Sequence, residues 1–248
     1  MLILLACFDG GKSYSMLKKC YGYLRKLPAE RTYSQFGEDA VLKFFLWEDV
    51  GQYLDVGAGD PIKGNNTWFF YKKGWSGILV EPLPGKSILL RRKRPRDTVL
   101  QLALLDEKKK IEFYEYESYE LSTTSLDVVK ELGINGIAPK TIHKIDATTL
   151  SNLDIFAKPL DPYVLSVDAE GVDFKIICGI DFVKFSPRVI CCEIYPANKS
   201  DNKKMEELLT SKGYIRVAVC FLSIIWCHID YLKTQGYVHL LDMLDIEP

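Results

Sequence analysis

Two glycines and a small set of carboxylates fall where apolar runs end, and these are the residues of this chain best suited to chemistry. Asp55-Val56-Gly57-Ala58-Gly59-Asp60-Pro61 follows an apolar segment that begins at Tyr53. Glycines at the carboxyl end of a strand let a ligand come close to the backbone. Glu81 ends the next apolar run, Gly77 to Glu81, and a carboxylate there can accept hydrogen bonds from both hydroxyls of a ribose. Together they predict an adenosine-type ligand. The spacing alone does not choose between NAD and another adenosyl compound, but Ile62 stands where a dinucleotide site carries its third glycine, so that fingerprint is broken.

Asp168 and Glu170 follow a third apolar run, and Glu193 lies in a fourth. Carboxylates at such an edge suit general acid-base work, or a divalent ion held by Asp168, Glu170 and Glu193. Acidic strand ends are also ordinary partners of helix N-termini. His143, His228 and His239 have no partner at metal-ligand spacing and are not candidates. Phe113, Tyr114, Tyr116 and Tyr119 form an aromatic group that, with the polar run Ser122 to Ser125 after it, suits either a sugar-stacking wall over the pocket or core packing. The basic run Arg91 to Arg96 reads as a solvated helix end.

Positioning these groups takes alternating elements. Apolar spacing predicts helices from Tyr14 to Leu27, stopped by Pro28, and from Ser34 as N-cap to Trp47. A strand at Tyr53 to Gly57 leads to a helix capped by Asn66-Thr67. A strand at Gly77 to Glu81, a helix at Lys86 to Lys93 and a strand at Thr98 to Leu105 follow. Ile111 to Tyr116 and Thr141 to Asp146 read as extra extended pieces. Strands at Tyr163 to Asp168 and Val189 to Ile194 enclose a helix near Phe174 to Cys178. A helix at Lys203 to Leu209 precedes an antiparallel pair, Tyr214 to Val219 and Ile224 to His228. Alternation of this kind implies a doubly wound α/β fold with a mostly parallel sheet of about seven strands.

Composition sets the outer limits. The 248 residues suffice for one sizeable core, and the expected organisation is an N-terminal helical extension at 1–32 followed by one domain at 33–248. With 32 basic and 33 acidic residues, no nucleic-acid partner is expected. The seven cysteines include no Cys-x-x-Cys pair, which supports neither a zinc ribbon nor a disulfide framework. No stretch reaches the roughly 20 apolar residues of a membrane span. A cytoplasmic location is expected, with the apolar run Met1 to Phe8 as a weak signal or anchor candidate.

Six segments in order, Tyr33-Ser-Gln-Phe-Gly-Glu-Asp39, Asp55 to Pro61, Asn66-Thr67, Gly74-Trp-Ser-Gly77, Glu81-Pro-Leu-Pro84 and Ser166-Val-Asp-Ala-Glu-Gly171, resemble the FkbM-like methyltransferases. The match spans Tyr33 to Tyr195. It implies the class I, Rossmann-like methyltransferase fold and S-adenosyl-L-methionine as cofactor, with a small-molecule or glycan acceptor methylated on oxygen. Carried over by position, the resemblance implies that Asp55, Gly57 and Gly59 line the methionine and ribose end of the cofactor and that Glu81 holds the ribose. Gln35 and Asn66 match polar positions near the same pocket. Asp168 is the preferred base, and Glu170 either binds an acceptor hydroxyl or joins Asp168 and Glu193 around a metal ion. The alternatives are an NAD-dependent oxidoreductase and a non-catalytic binding protein with a degenerate cofactor pocket.

Overall fold

The computed structural model describes residues 32–46, 50–153, 164–194 and 198–237. The expected helix at Tyr14 to Leu27 and the apolar run Met1 to Phe8 lie outside them, as do Trp47, Tyr163, Tyr195 and His239.

Seven strands form the main sheet in the order β3-β2-β1-β7-β8-β10-β9. They are β1 Gln52–Val56, β2 Ser76–Val80, β3 Thr98–Leu100, β7 Val164–Val167, β8 Val189–Glu193, β9 Tyr214–Cys220 and β10 Ser223–His228. The first five are mutually parallel, and β10 runs antiparallel to both β8 and β9. Strands covered on both faces lose the polar alternation of half-exposed ones, and every residue of β7 is buried. This is the Rossmann-like arrangement of class I methyltransferases, with the mostly parallel sheet and antiparallel edge that the sequence implies.

Helices cover both faces. On one side, α1 Glu38–Phe45, α2 Trp68–Lys72, α3 Pro84–Lys93 and α7 Ile229–Thr234 contribute Leu42, Phe45, Phe70, Leu90 and Leu232 to one apolar cluster. On the other, α5 Asp173–Cys178 and α6 Lys199–Ser211 contribute Ile176, Ile177, Met205 and Leu209 to a second. Cys191 belongs to the first cluster and Cys192 to the second, as adjacent strand residues must.

A second sheet of three strands, β4 Ala103–Leu104, β5 Lys109–Glu115 and β6 Thr141–Thr148, has the order β4-β6-β5. It corrects the expectation of one strand from Thr98 to Leu105. Leu100 accepts the Glu81 N–H at 3.0 Å, the chain then leaves the main sheet at Gln101, and Ala103 and Leu104 pair with β6 instead. The helix α4 Leu126–Ile134 follows β5. Ala103, Leu104 and Ala147 pack into the cluster shared with α5 and α6, so the small sheet closes one side of the carboxyl edge.

Two caps also differ from expectation. Gly37, not Ser34, stands at the N-cap of α1, although the Ser34 hydroxyl accepts the Asp39 N–H at 3.2 Å. At α2 the capping oxygen is Asn65 Oδ1, which accepts N–H groups from Thr67 and Trp68 at 3.1 and 2.8 Å. Asn66 is thereby left to reach across the sheet.

Candidate active site

After β1 the chain turns through Gly57 (φ 78°) and Gly59 (φ 55°), left-handed conformations that favour glycine. Gly57 N–H and Ala58 N–H donate to Val80 O at 2.9 and 3.2 Å, and Asp168 N–H donates to Val56 O at 3.0 Å. The turn is thus wedged between the ends of β2 and β7. A Cβ on Gly57 would lie 1.8 Å from Asp168 O, so close approach as well as φ demands glycine.

Beneath the turn lies a buried polar network. Asp55 Oδ2 accepts from Thr67 Oγ1 at 2.7 Å and from Asn65 Nδ2 at 3.2 Å. Asn65 Nδ2 also donates to Ala58 O at 2.9 Å, inside the glycine turn. Arg94 is fully enclosed, donating to Asn65 Oδ1 and Thr67 Oγ1 at 2.9 Å each. Burial pushes the Asp55 carboxyl up, and the Arg94 guanidinium opposes that shift. Asp55 therefore faces the scaffold under the turn, and Arg94 is no part of a solvated basic face. Arg96 likewise lies over the Tyr71 ring, 3.9 Å from its centroid, and donates to Tyr71 O.

Above the turn is a cavity of about 420 Å³, within the usual range for small-molecule sites. Gln35, Gly57, Gly59, Lys86, Asp168 and Glu170 are among its lining residues, with Val56, Val80, Ala103 and Phe113 as apolar wall. Glu81 stands directly behind the lining and is fully covered. Its Oε2 accepts from Gly59 N–H at 3.0 Å and from the Tyr119 hydroxyl at 2.7 Å, while Oε1 accepts from Leu83 N–H at 2.8 Å. Burial raises its pKa, against the pull of these donors. Asn66 Nδ2 donates to Ser166 Oγ at 3.1 Å, tying the segment after the turn to β7 rather than lining the cavity.

The acidic residues gather past the end of β7. Burial raises Asp168 first, and the nearby charges of Asp55 and Glu38 add to it. Glu170 is raised by burial and then by Asp168 and Glu193; Glu193 is raised by burial and then by Asp168. Glu170 is held at φ 51°, a costly conformation for a residue with a Cβ, and the Thr123 hydroxyl donates to its carbonyl at 2.7 Å. Among the described residues no group of three His, Cys, Asp or Glu side chains is placed to hold a metal ion, so Asp168, Glu170 and Glu193 form an electrostatic cluster without forming a ligand set.

These surroundings fit S-adenosylmethionine. Its sulfonium and ammonium charges suit a wall of carboxyls that burial first, and the charges of their acidic neighbours second, hold above their ordinary range. Among the described residues nothing hydrogen-bonds Thr124 Oγ1, a buried oxygen on the cavity wall, as expected of a ligand-facing group. Sequence reasoning gave Lys86 no part in the site, since a lone lysine carries no spacing signal, and reached Thr124 only within the polar run Ser122 to Ser125. It named Tyr119 only within an aromatic group whose other members, Phe113, Tyr114 and Tyr116, are buried. Asn65 was the one legible omission, because asparagine is a strong helix-capping residue.

No curated protein sequence matches this chain. Among solved structures, a TehB-like SAM-dependent methyltransferase from Corynebacterium glutamicum is similar at 10% identity, with 88% of this chain and 100% of that one covered and a TM-score of 0.44. An O-methyltransferase from Bacillus cereus in complex with SAH is similar at 12% identity, covering 89% and 91%, with a TM-score of 0.41. The 1,6-didemethyltoxoflavin-N1-methyltransferase of Burkholderia thailandensis gives 12% identity, 90% coverage of each chain and a TM-score of 0.41. Likenesses this distant bear on neither ligand nor acceptor. The model of the methyltransferase FkbM domain, by contrast, matches residues 55–216, from the end of β1 into β9 and so over more than half of the chain. With the strand order and the turn in agreement, this chain belongs to the FkbM methyltransferase family, whose enzymes are S-adenosylmethionine-dependent.

Proposed function

We propose that this enzyme methylates a hydroxyl of a saccharide, glycan or related polar metabolite, with the methyltransferase domain running from residue 33 onwards. The observation that carries the reading is the position of Asp168. It lines the cavity beside the glycine turn, and among the described residues no hydrogen bond reaches its carboxylate. A hydroxyl acceptor needs a base that is unengaged until substrate arrives.

Bound S-adenosylmethionine supplies an electrophilic methyl group on a sulfonium. The chain's own residues do the rest. Gly57 and Gly59 give close backbone access, and Glu81 accepts the ribose hydroxyls. Gln35 adds a polar contact from the rim. Asp55 and Asn66 act on the site through the turn and β7, as positioning residues. Asp168 takes the proton from the acceptor oxygen. Glu170, whose pKa burial and Asp168 raise further, stays protonated at neutral pH and donates a hydrogen bond to an acceptor oxygen. Holding the acceptor in line supplies the remaining advantage. A divalent ion is not required by this scheme.

The test is to incubate purified protein with methyl-labelled cofactor and polar metabolite and glycan fractions, then identify the product by mass spectrometry. Label on a sugar or polyol oxygen is expected. Label on nitrogen or carbon only would overturn the oxygen assignment.

A further inference from the structure

Glu81 is the group best placed to receive a ribose, yet its Oε2 already accepts two hydrogen bonds, one of them from Tyr119 at 2.7 Å. A diol needs free acceptor positions on this carboxylate, and the carboxylate is wholly covered. The Tyr119 ring is also pressed against the turn: a Cβ on Gly59 would fall 2.7 Å from its Cε1. Lys86 Nζ lies over the same ring, 4.1 Å from its centroid. Hydroxyl and ring together fill the space in which a ribose would meet both Glu81 and Gly59.

The segment that carries Tyr119 is short and closed at its base. It is a single 3-10 turn, Tyr119–Leu121, without a side-chain cap. Its flanks are pinched by the bridge between Tyr114 and Thr123, with N–H to O distances of 2.9 and 3.1 Å. Outside that clamp, Glu117, Ser118 and Glu120 are exposed. Tyr119 itself is half-buried and reaches in from these exposed neighbours to Glu81.

We propose that Tyr119 is a stand-in for the ribose: its hydroxyl holds Glu81, and the cofactor binds by displacing it, swinging the 117–122 loop off the Gly59 turn. The inference rests on the reading of Glu81 as the ribose acceptor. The displacement lowers apparent affinity by the fraction of molecules in which the loop is open, so Tyr119 sets how tightly product is retained between turnovers.

The test measures S-adenosylhomocysteine affinity by calorimetry for wild type, Tyr119→Phe and Tyr119→Ala, and amide hydrogen exchange of residues 118–122 in wild type. Tyr119→Phe keeps the ring and loses the hydrogen bond to a charged group, so affinity should rise by roughly tenfold. Saturating S-adenosylhomocysteine should speed exchange at Leu121 and Ser122, whose N–H groups donate within the turn. Equal or weaker binding by Tyr119→Phe, or unchanged exchange in a wild type that does bind, overturns the displacement while leaving the cofactor site standing. If neither wild type nor the variants bind S-adenosylhomocysteine, the cofactor reading itself fails and takes the inference with it. The exchange measurement needs no variant, so a misfolded Tyr119→Ala does not blunt the test.

Discussion

Arg94 Nε donates to Asp97 Oδ2 at 2.6 Å with both side chains wholly enclosed, and this pair braces the floor of the site from two sides. Asp97 accepts the Tyr53 hydroxyl at 2.8 Å and Gly77 N–H at 2.9 Å, joining β1 to β2. Arg94 carries the brace on to Asn65 and Thr67, and through them to Asp55 and the glycine turn. Removing one partner of a buried pair leaves an uncompensated charge. Arg94→Met is therefore predicted to cost about 3–5 kcal/mol in urea unfolding. A loss below about 1 kcal/mol, the scale of an exposed pair, would contradict the brace.

Asp168→Asn should bind S-adenosylhomocysteine as wild type does and turn over roughly a hundredfold or more slowly, the usual contribution of a positioned base. Because burial and its acidic neighbours raise Asp168, the wild-type rate should fall on acidification with a midpoint above about 4, the ordinary aspartate value. Near-normal turnover in the variant would exclude the role.

Asp173 is pushed up to about 7 by burial, with the charge of Asp168 adding to it, and Ala169 N–H donates to it at 3.3 Å. The folded protein thus holds this proton more tightly than the unfolded chain. The stabilising contribution is complete below about pH 4, the unfolded value, and is lost as pH rises through about 7. Asp173→Asn keeps an acceptor oxygen without the charge. Its urea midpoint should gain on wild type between pH 4 and pH 8, and a shrinking gap would contradict the assignment.

Much of this site was legible before any coordinates because its backbone requirements leave local marks. Gly57 and Gly59 are glycines for reasons of φ and approach, and Glu81 directly follows the apolar strand β2. What stayed hidden depends on contacts distant in sequence. Asp55 reads as a ligand carboxylate until Arg94, far along the chain, is seen to claim its partners. The apolar run from Thr98 to Leu105 looks like one strand, and only its competition between two sheets divides it. Tyr119 reached Glu81 through a loop whose path has no periodic signature. The helices α4 and α7 passed unmarked; α4 buries only Val128 and so carries little of the apolar stripe that marks a core helix.

The central claim, that the glycine turn and Glu81 form one S-adenosylmethionine site, is tested most directly by titrating S-adenosylhomocysteine into wild type and Glu81→Ala in a calorimeter, with both folds verified by circular dichroism. Saturable one-to-one binding by wild type, weakened by roughly a hundredfold or more in the variant through loss of charged hydrogen bonds to the ribose, is the predicted result. Equal affinity in the two proteins, or no binding by wild type, would contradict it.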